Sequence, residues 1–417
     1  MQDFSCNTVV NQNKLQAKLA LASNFSAVAI AAALPLSTTA TDILFVVTVL
    51  LNLAAGDLRA KFAFILSNWV AIGLLAFYAL FLIGMIYSTA PWSGSLHTFS
   101  KYDKLFFAAF LIPIFKEEKW RKYAINIFLF TMLFVMVASY VKAGWGMLYG
   151  YSSEDFSVFK VHISYNFLMS FFAYLVLLKI SALPKYDKYK WLWIGFLVLA
   201  VFDIFFMNIS RTGYLVFTGL VILFCVQNPS WKKIFIALVS ISLIIGVAFT
   251  VPSFFKAKVY EAVSNVKDYE NKKEDTSIGL RMVFVKNSIA LIKKHPIFGT
   301  GTGSYPYEYA NIKPTPEVLS HNPHNEYLLT MVQFGVIGLL ALLALFGSQL
   351  WYSRFLPKEV KNIAQGIIIA IMLGSLVNSL LSDTTEGHLY AYFIALTFAT
   401  SFTGSKAKLS PENQYIS

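Results

Sequence analysis

Apolar runs of about 20 residues recur along almost the whole chain, and no other feature restricts its fold so strongly. Each run is long enough for a helix to cross a hydrocarbon core of ~30 Å. Within that core every backbone N–H and C=O must be satisfied internally, which leaves helices or closed barrels. The runs are continuous rather than alternating, so they do not read as barrel strands. Charged residues make up 13% of the 417 positions, about half the ~25% usual for soluble domains. The sequence therefore predicts an all-α polytopic membrane protein whose residues 1–417 form a single integral membrane domain.

Twelve spans are expected, at about 22–38, 40–55, 63–88, 102–115, 123–142, 161–181, 191–208, 212–227, 234–252, 323–349, 362–381 and 387–404. Spans thus occupy about 22–252 and 323–404, and residues 253–322 form a large polar loop between the ninth and tenth. A Ser-Thr turn at Ser37–Thr39 joins the first two. The first span is expected to act as the insertion signal, because the N-terminus shows no short apolar core with a small-residue cleavage site. Cys6 precedes the first span and Cys225 lies inside one, so they are not expected to pair, and no zinc-type spacing occurs. The polar tail 404–417 is expected to be disordered.

Short loops on one side carry 19 Lys and Arg, among them Lys61, Arg121, Lys122, Lys179, Lys190, Lys358 and Lys408; those on the other side carry five. This bias places the first side, with both termini, in the cytoplasm and the 253–322 loop outside. The formal charge of +12 is then mainly a topology signal, and no nucleic-acid partner is expected. All six histidines fall on the outer side in this arrangement. Asp42, Asp203, Glu326, Asp383 and Glu386 also lean that way. Ionisable residues at span ends point to a functional site, here an external polar cavity.

Four stretches facing that side can carry chemistry. Ser210-Arg211-Thr212-Gly213 is a very short outer turn. Arg211 is there either an arginine reaching for lipid headgroups or an anion clamp, for which its planar fork suits phosphate oxygens. Residues 277–294, SIGLRMVFVKNSIALIKK, read as an amphipathic helix lying along the bilayer surface. Arg281 falls in its first turn, where the helix dipole favours an anion; the plain alternative is one more solvated basic residue. The HPIFGTGTG stretch, 295–303, lacks the strand–turn–helix context of a dinucleotide site and reads as a compact turn back to the bundle. Finally, His321-Asn-Pro-His324-Asn325-Glu326 opens the tenth span. His324 is either a polar cap at the interface or a base for a sugar hydroxyl, with Glu326 to orient or tune it. A metal site is a third option, but no further Asp, Glu or His set has the spacing a metal demands.

The order His324-Asn325, nine residues, then Gly335-Val-Ile-Gly338 is similar to the H-N-x9-G-x-x-G pattern of the bacterial O-antigen ligase family. The HPIFGTG turn, the Ser-Arg-Thr-Gly corner and the large external loop between late spans also resemble that family. The resemblance implies a membrane-embedded, GT-C-like, inverting glycosyltransferase that needs no metal or other cofactor. Its partners would be a glycan donor on undecaprenyl pyrophosphate, a lipid A–core acceptor and membrane lipids. It would act at the periplasmic face of the bacterial inner membrane, with both termini cytoplasmic. Carried onto this chain, the resemblance implies His324 as catalytic base and Arg211 and Arg281 as pyrophosphate-binding residues. His321, Asn325 and Glu326 fall to supporting or acceptor-positioning roles. Tyr305, Tyr307 and Tyr309 offer faces for sugar stacking, or simply pack the loop. O-antigen polymerases and protein O-oligosaccharyltransferases share the superfamily and are the nearest alternatives; a lipid or solute transporter is a more distant one.

Overall fold

The computed structural model describes residues 2–149, 155–229, 277–312 and 320–400. The expected ninth span (234–252), the first part of the outer loop (253–276) and the tail (404–417) lie outside the described residues. In chain order the helices are α1 Gln2–Leu36, α2 Thr38–Ala54, α3 Leu58–Ser67, α4 Trp69–Ile86, α5 Trp92–Ser100, α6 Asp103–Leu111, α7 Glu118–Leu148, α8 His162–Ala182, α9 Tyr189–Phe202, α10 Arg211–Gln227, α11 Ser277–Lys294, α12 Tyr305–Ile312, α13 Glu326–Ser353, α14 Lys358–Gly374 and α15 Thr384–Phe398. Among the described residues there is no strand, only an isolated bridge between Asp155 and Asn208.

Among the described residues, six helical stretches are long and apolar enough to cross a membrane: Lys14–Leu36, Trp69–Ile86, Glu118–Leu148, His162–Ala182, Tyr189–Met207 and Glu326–Ser353. Thr38–Ala54 and Arg211–Gln227 are shorter apolar helices. Phe130, Phe134, Val137 and Val141 are all exposed on α7. Their spacing makes one apolar stripe along the helix, a surface suited to lipid and not to water. The described residues are helical throughout their regular structure, and the molecule is a multi-pass membrane protein.

Several expected spans are interrupted for local reasons. The run at 63–88 breaks at Asn68, whose Oδ1 accepts from the N–H of Val70 (3.0 Å) and Ala71 (3.2 Å) and so starts α4. Its Nδ2 donates to Phe398 O at 3.0 Å, fastening the break to the end of α15. The run at 102–115 gives only the nine-residue α6, about 14 Å long, followed by a 3-10 turn at Ile112–Lys116 that contains Pro113. Proline supplies no N–H and ends the α-helix; at the end of the 3-10 turn Arg121 Nη1 donates to the carbonyls of Phe115 (2.6 Å) and Lys116 (2.8 Å). The run at 362–381 stops being helical at Gly374, and Ser375–Asp383 form a turn-rich segment before α15. Residues 92–100, expected as a connection, form α5.

Helix α15 is the axis of the packing. Every residue from Thr385 to Phe398 is buried, Glu386 and His388 among them. It touches α1, α2, α6, α8 and α14. A separate small core of Phe284, Leu291, Tyr305, Tyr309, Leu329 and Val332 joins α11, α12 and the start of α13. This second core holds α11 and α12 on the bundle.

Candidate functional site

The glycine-rich turn is a structural plug. Helix α13 is broken at Gly335, where φ is 61° and ψ is −154°, a region open essentially to glycine alone. The break frees backbone groups that residues 296–301 then take up. Thr300 N donates to Val332 O (2.9 Å), Gly301 N to Gln333 O (2.8 Å), and Val336 N to Pro296 O (2.8 Å). Gln333 Oε1 accepts from Gly303 N at 2.7 Å. On the other side Thr302 N donates to Gly84 O (3.0 Å) and Thr89 N to Thr300 O (3.0 Å). The N–H groups of Thr300 to Gly303 are therefore bonded to protein acceptors and are not an anion cradle. A Cβ on Gly335 would collide with the Ile297 carbonyl, so the first glycine of the G-x-x-G pair is there to seat the plug.

The plug fixes the entry of α13, and with it the histidine motif. Asn325, not His324, caps the helix: its Oδ1 accepts from Leu328 N at 2.9 Å. Asn325 Nδ2 donates to Leu376 O at 2.9 Å and Glu326 N to Ser375 O at 3.0 Å, tying the motif to the segment after α14. His324 has a positive φ of 50°, and its N–H donates to Asn322 Oδ1 at 2.8 Å. That left-handed kink turns the imidazole toward Asn378, whose Oδ1 lies 3.0 Å from His324 Nδ1.

The expectation that Glu326 orients His324 is thus corrected. Glu326 is fully buried. One carboxylate oxygen accepts from the Tyr102 hydroxyl at 2.7 Å, the other from the N–H of Leu381 (3.2 Å) and Ser382 (3.4 Å). It fastens α6 and the segment before α15 to the start of α13; the side chain that holds the imidazole is Asn378. Asp383 lies near enough to His324 and the buried Lys104 for both to pull its carboxyl pKa down, but burial outweighs them and the net direction is up. Lys104 Nζ donates to Asp383 O at 2.7 Å. His321 is exposed in the preceding turn.

Helix α11 packs one face on the bundle and keeps an apolar face open. Val283, Phe284, Asn287, Ser288 and Leu291 are buried against α12 and α13, while Met282, Val285 and Ile289 face outward. The Phe284 ring lies 5.9 Å from the His324 ring at an interplanar angle of 32°. Arg281 sits one turn before Phe284 on the same helix, so docking α11 brings a guanidinium and the imidazole into one neighbourhood. Arg281 is half-buried, and its pKa is lowered, first by burial and then by the charge of Arg211. The two arginines, 70 positions apart in sequence, therefore sit close enough to repel. Tyr305 and Tyr309 stack on each other at 5.6 Å inside the second core; of the three tyrosines only Tyr307 keeps a substantially exposed face.

Arg211 is set by its own buried scaffold. Helix α9 ends in a π-turn at Asp203–Met207. The Asp203 carboxylate there accepts from the Tyr165 hydroxyl (2.7 Å) and Asn208 Nδ2 (2.5 Å). Asn208 Oδ1 in turn accepts from Phe156 N at 2.9 Å. The π-turn and this network deliver the chain at Ser210, whose Oγ accepts from Gly213 N at 3.3 Å and caps α10. A Cβ on Gly213 would press on Asn166, and Thr212 is buried. Within Ser-Arg-Thr-Gly, three residues build the corner and Arg211 is the side chain held part-exposed at its helix start.

Sequence reasoning missed Asn378, Phe284 and the Asp203 scaffold. For Asn378 a signal existed: Ser375, Asn378 and Ser379 put three polar residues into the end of the expected span 362–381, and Ser382 and Asp383 follow directly.

Fold and geometry together describe a multi-pass membrane protein in which His324 lies against Asn378 and Phe284 of α11, with Arg281 one turn away on that helix and within the field of Arg211. Residues 195–343 match the family model described as O-Antigen ligase, which places this segment in the O-antigen ligase superfamily. The match covers a little over a third of the chain and takes in Arg211, Arg281, His321, His324, Asn325, Glu326 and Gly335, but not Asn378. A protein of Haemophilus influenzae, described as an uncharacterized protein, is 30% identical over 140 residues, 32% of this chain. The match spans 35% of that relative's length.

Proposed function

We propose that the chain is an O-antigen ligase. It moves O-antigen polysaccharide from undecaprenyl pyrophosphate to a hydroxyl of lipid A–core oligosaccharide at the periplasmic face of the bacterial inner membrane. The observation that carries the reading is the docking of α11. It sets Phe284 against His324 and puts Arg281, one turn away, within reach of Arg211's charge.

The chemistry follows from those groups. His324 Nδ1–H donates to Asn378 Oδ1, which leaves Nε2 unprotonated and free to accept a proton. The acceptor hydroxyl gives its proton to Nε2 as its oxygen bonds to the anomeric carbon. The bond from that carbon to the phosphate oxygen breaks on the opposite face, so the configuration inverts. Negative charge grows on the departing pyrophosphate, and preorganised cations stabilise it most in the transition state. Arg211 and Arg281 supply them, and an anion between the two relieves their repulsion. His321 and Asn325 act at the acceptor side, Asn325 through the turn it caps. No nucleotide or metal takes part.

An O-antigen polymerase or a protein O-oligosaccharyltransferase would use the same groups with another acceptor. Reconstitution of the purified protein with lipid-pyrophosphate-linked glycan and rough lipopolysaccharide, without nucleotide and with EDTA, separates the cases. A glycan ladder on lipopolysaccharide is expected. Lengthening of the glycan on its own carrier would make the protein a polymerase, and loss of transfer on adding EDTA would overturn the metal-free mechanism.

A further inference from the structure

A second cavity lies at the far end of the bundle. Helix α14 ends at Gly374, beside the turn that holds His324 through Asn378. Its first residue, Lys358, is about 25 Å away along the helix axis and lines a cavity of about 470 Å³. That volume is in the range of small-molecule sites. Helix α7 contributes Lys122 and Asn126, and α14 contributes Lys358 and Asn362; each pair is four residues apart and so on one helix face. Helix α8 closes the back with Leu175, Leu178 and Lys179.

We infer that this cavity binds the headgroup of an anionic phospholipid of the phosphatidylglycerol class, a phosphodiester bearing free hydroxyls. Charge, hydrogen bonding and apolar surface all support that ligand. Lys122, Lys179 and Lys358 line the cavity together with Glu359, and Lys122 also holds Glu118 at 2.6 Å at its edge. Three positive charges against two negative leave one, the complement of a phosphodiester. Asn362 is 5% exposed, and its side-chain oxygen has no hydrogen-bond partner among the described residues. A buried acceptor left unmet is costly; a headgroup hydroxyl supplies the missing donor. The cavity floor is apolar, and exposed Ile127 and Phe130 continue down α7 from Lys122 and Asn126. Acyl chains anchored by the headgroup would lie along that stripe, which a free phosphodiester has no means to use. The cavity also sits at the lysine-rich end of the bundle, where basic pockets between spans suit acidic lipids.

The test is native mass spectrometry on the full chain, purified in mild detergent and stripped of lipid. It is titrated with phosphatidylglycerol, phosphatidylethanolamine and deacylated glycerophosphoglycerol. Phosphatidylglycerol is expected to bind at least about ten-fold more tightly than the other two, one tenfold step being 1.4 kcal/mol. The K122Q/K358Q variant should weaken it about thirty-fold, from roughly 1 kcal/mol per lysine, and K122R/K358R should restore it. Both substituted lysines sit at exposed positions, so the fold is expected to survive, and an unchanged melting curve checks that. Equal binding by wild type and K122Q/K358Q would overturn the inference. So would equal affinity for phosphatidylethanolamine, or deacylated headgroup binding as tightly as the lipid, which would mark a site for soluble phosphodiesters.

Discussion

His324 Nδ1 and Asn378 Oδ1 lie 3.0 Å apart, across 54 positions of sequence. The amide fixes which ring nitrogen carries the proton, a role that costs about 10- to 100-fold in activity when lost from comparable histidine partners. Asn378→Leu is therefore expected to lower kcat about that much while KM for the lipid-linked donor stays within about two-fold, because the arginines are untouched. Asn378→Asp should keep the orientation but place a carboxylate on the ring, favouring the charged imidazolium. Its activity should then fall off on the acid side at a higher pH than wild type. Both readouts come from initial rates against pH; a profile that does not move in Asn378→Asp would remove the residue from its positioning role.

Gly335 is expected to tolerate no side chain. Its φ and ψ belong to glycine, and a Cβ would strike the Ile297 carbonyl. Gly335→Ala should cost more than about 2 kcal/mol of stability and release the plug at 296–301. Thermal melting in detergent should show this as a clear loss, with accelerated proteolysis near Phe298. A near-normal melt would mean that α13 can straighten without the turn.

The broad architecture was legible in the sequence because a bilayer leaves few choices. Span length and composition alone marked most of the helices, and the Ser37 turn sits where its cap is. The places that misled, Asn68, Pro113 and Ser375–Asp383, are those where polar side chains or proline interrupt an apolar run. Hydropathy averages over such points, while hydrogen bonding does not. In the site, Arg211, Arg281 and His324 stood out because charge and imidazole are rare in this chain. Their grouping was not readable, since α11 docks through the small core of Phe284, Tyr309 and Leu329 rather than through sequence proximity. Asn378 and Glu326 show the same limit from opposite directions. A neutral amide inside an apparent span orients the histidine, while the carboxylate two residues from it turns inward to Tyr102.

The arginine assignment predicts a graded series. Arg281→Ala should lower kcat/KM about 10²- to 10³-fold, the usual loss for one preorganised group that meets developing charge. Arg281→Lys should keep part of the rate, since it preserves the charge and loses the fork. Arg211→Ala should behave likewise, and the double variant should lose less than the product of the singles, because the two cations act on one leaving group. Measured with a synthetic polyprenyl-pyrophosphate glycan, near-equal activity of Arg281→Ala and Arg281→Lys would remove Arg281 from the site.

Lys160, in the turn before α8, gives a pH signature of stability. Burial lowers its pKa from 10.5 to about 8, against the opposing pull of Glu386 and Asp42. The folded protein thus gives up this proton at a lower pH than the unfolded chain does. Between about pH 8 and 10.5 the unfolded state binds more protons, so this residue makes stability rise with pH across that window. The penalty for charging Lys160 is fully present below the lower value and gone above the upper. Lys160→Gln removes it, so the variant should melt above wild type at pH 7.5, with the gap closing as pH approaches 10.5. Parallel melting curves of the two proteins across that range would show that Lys160 titrates as an ordinary exposed lysine and that its burial carries no cost.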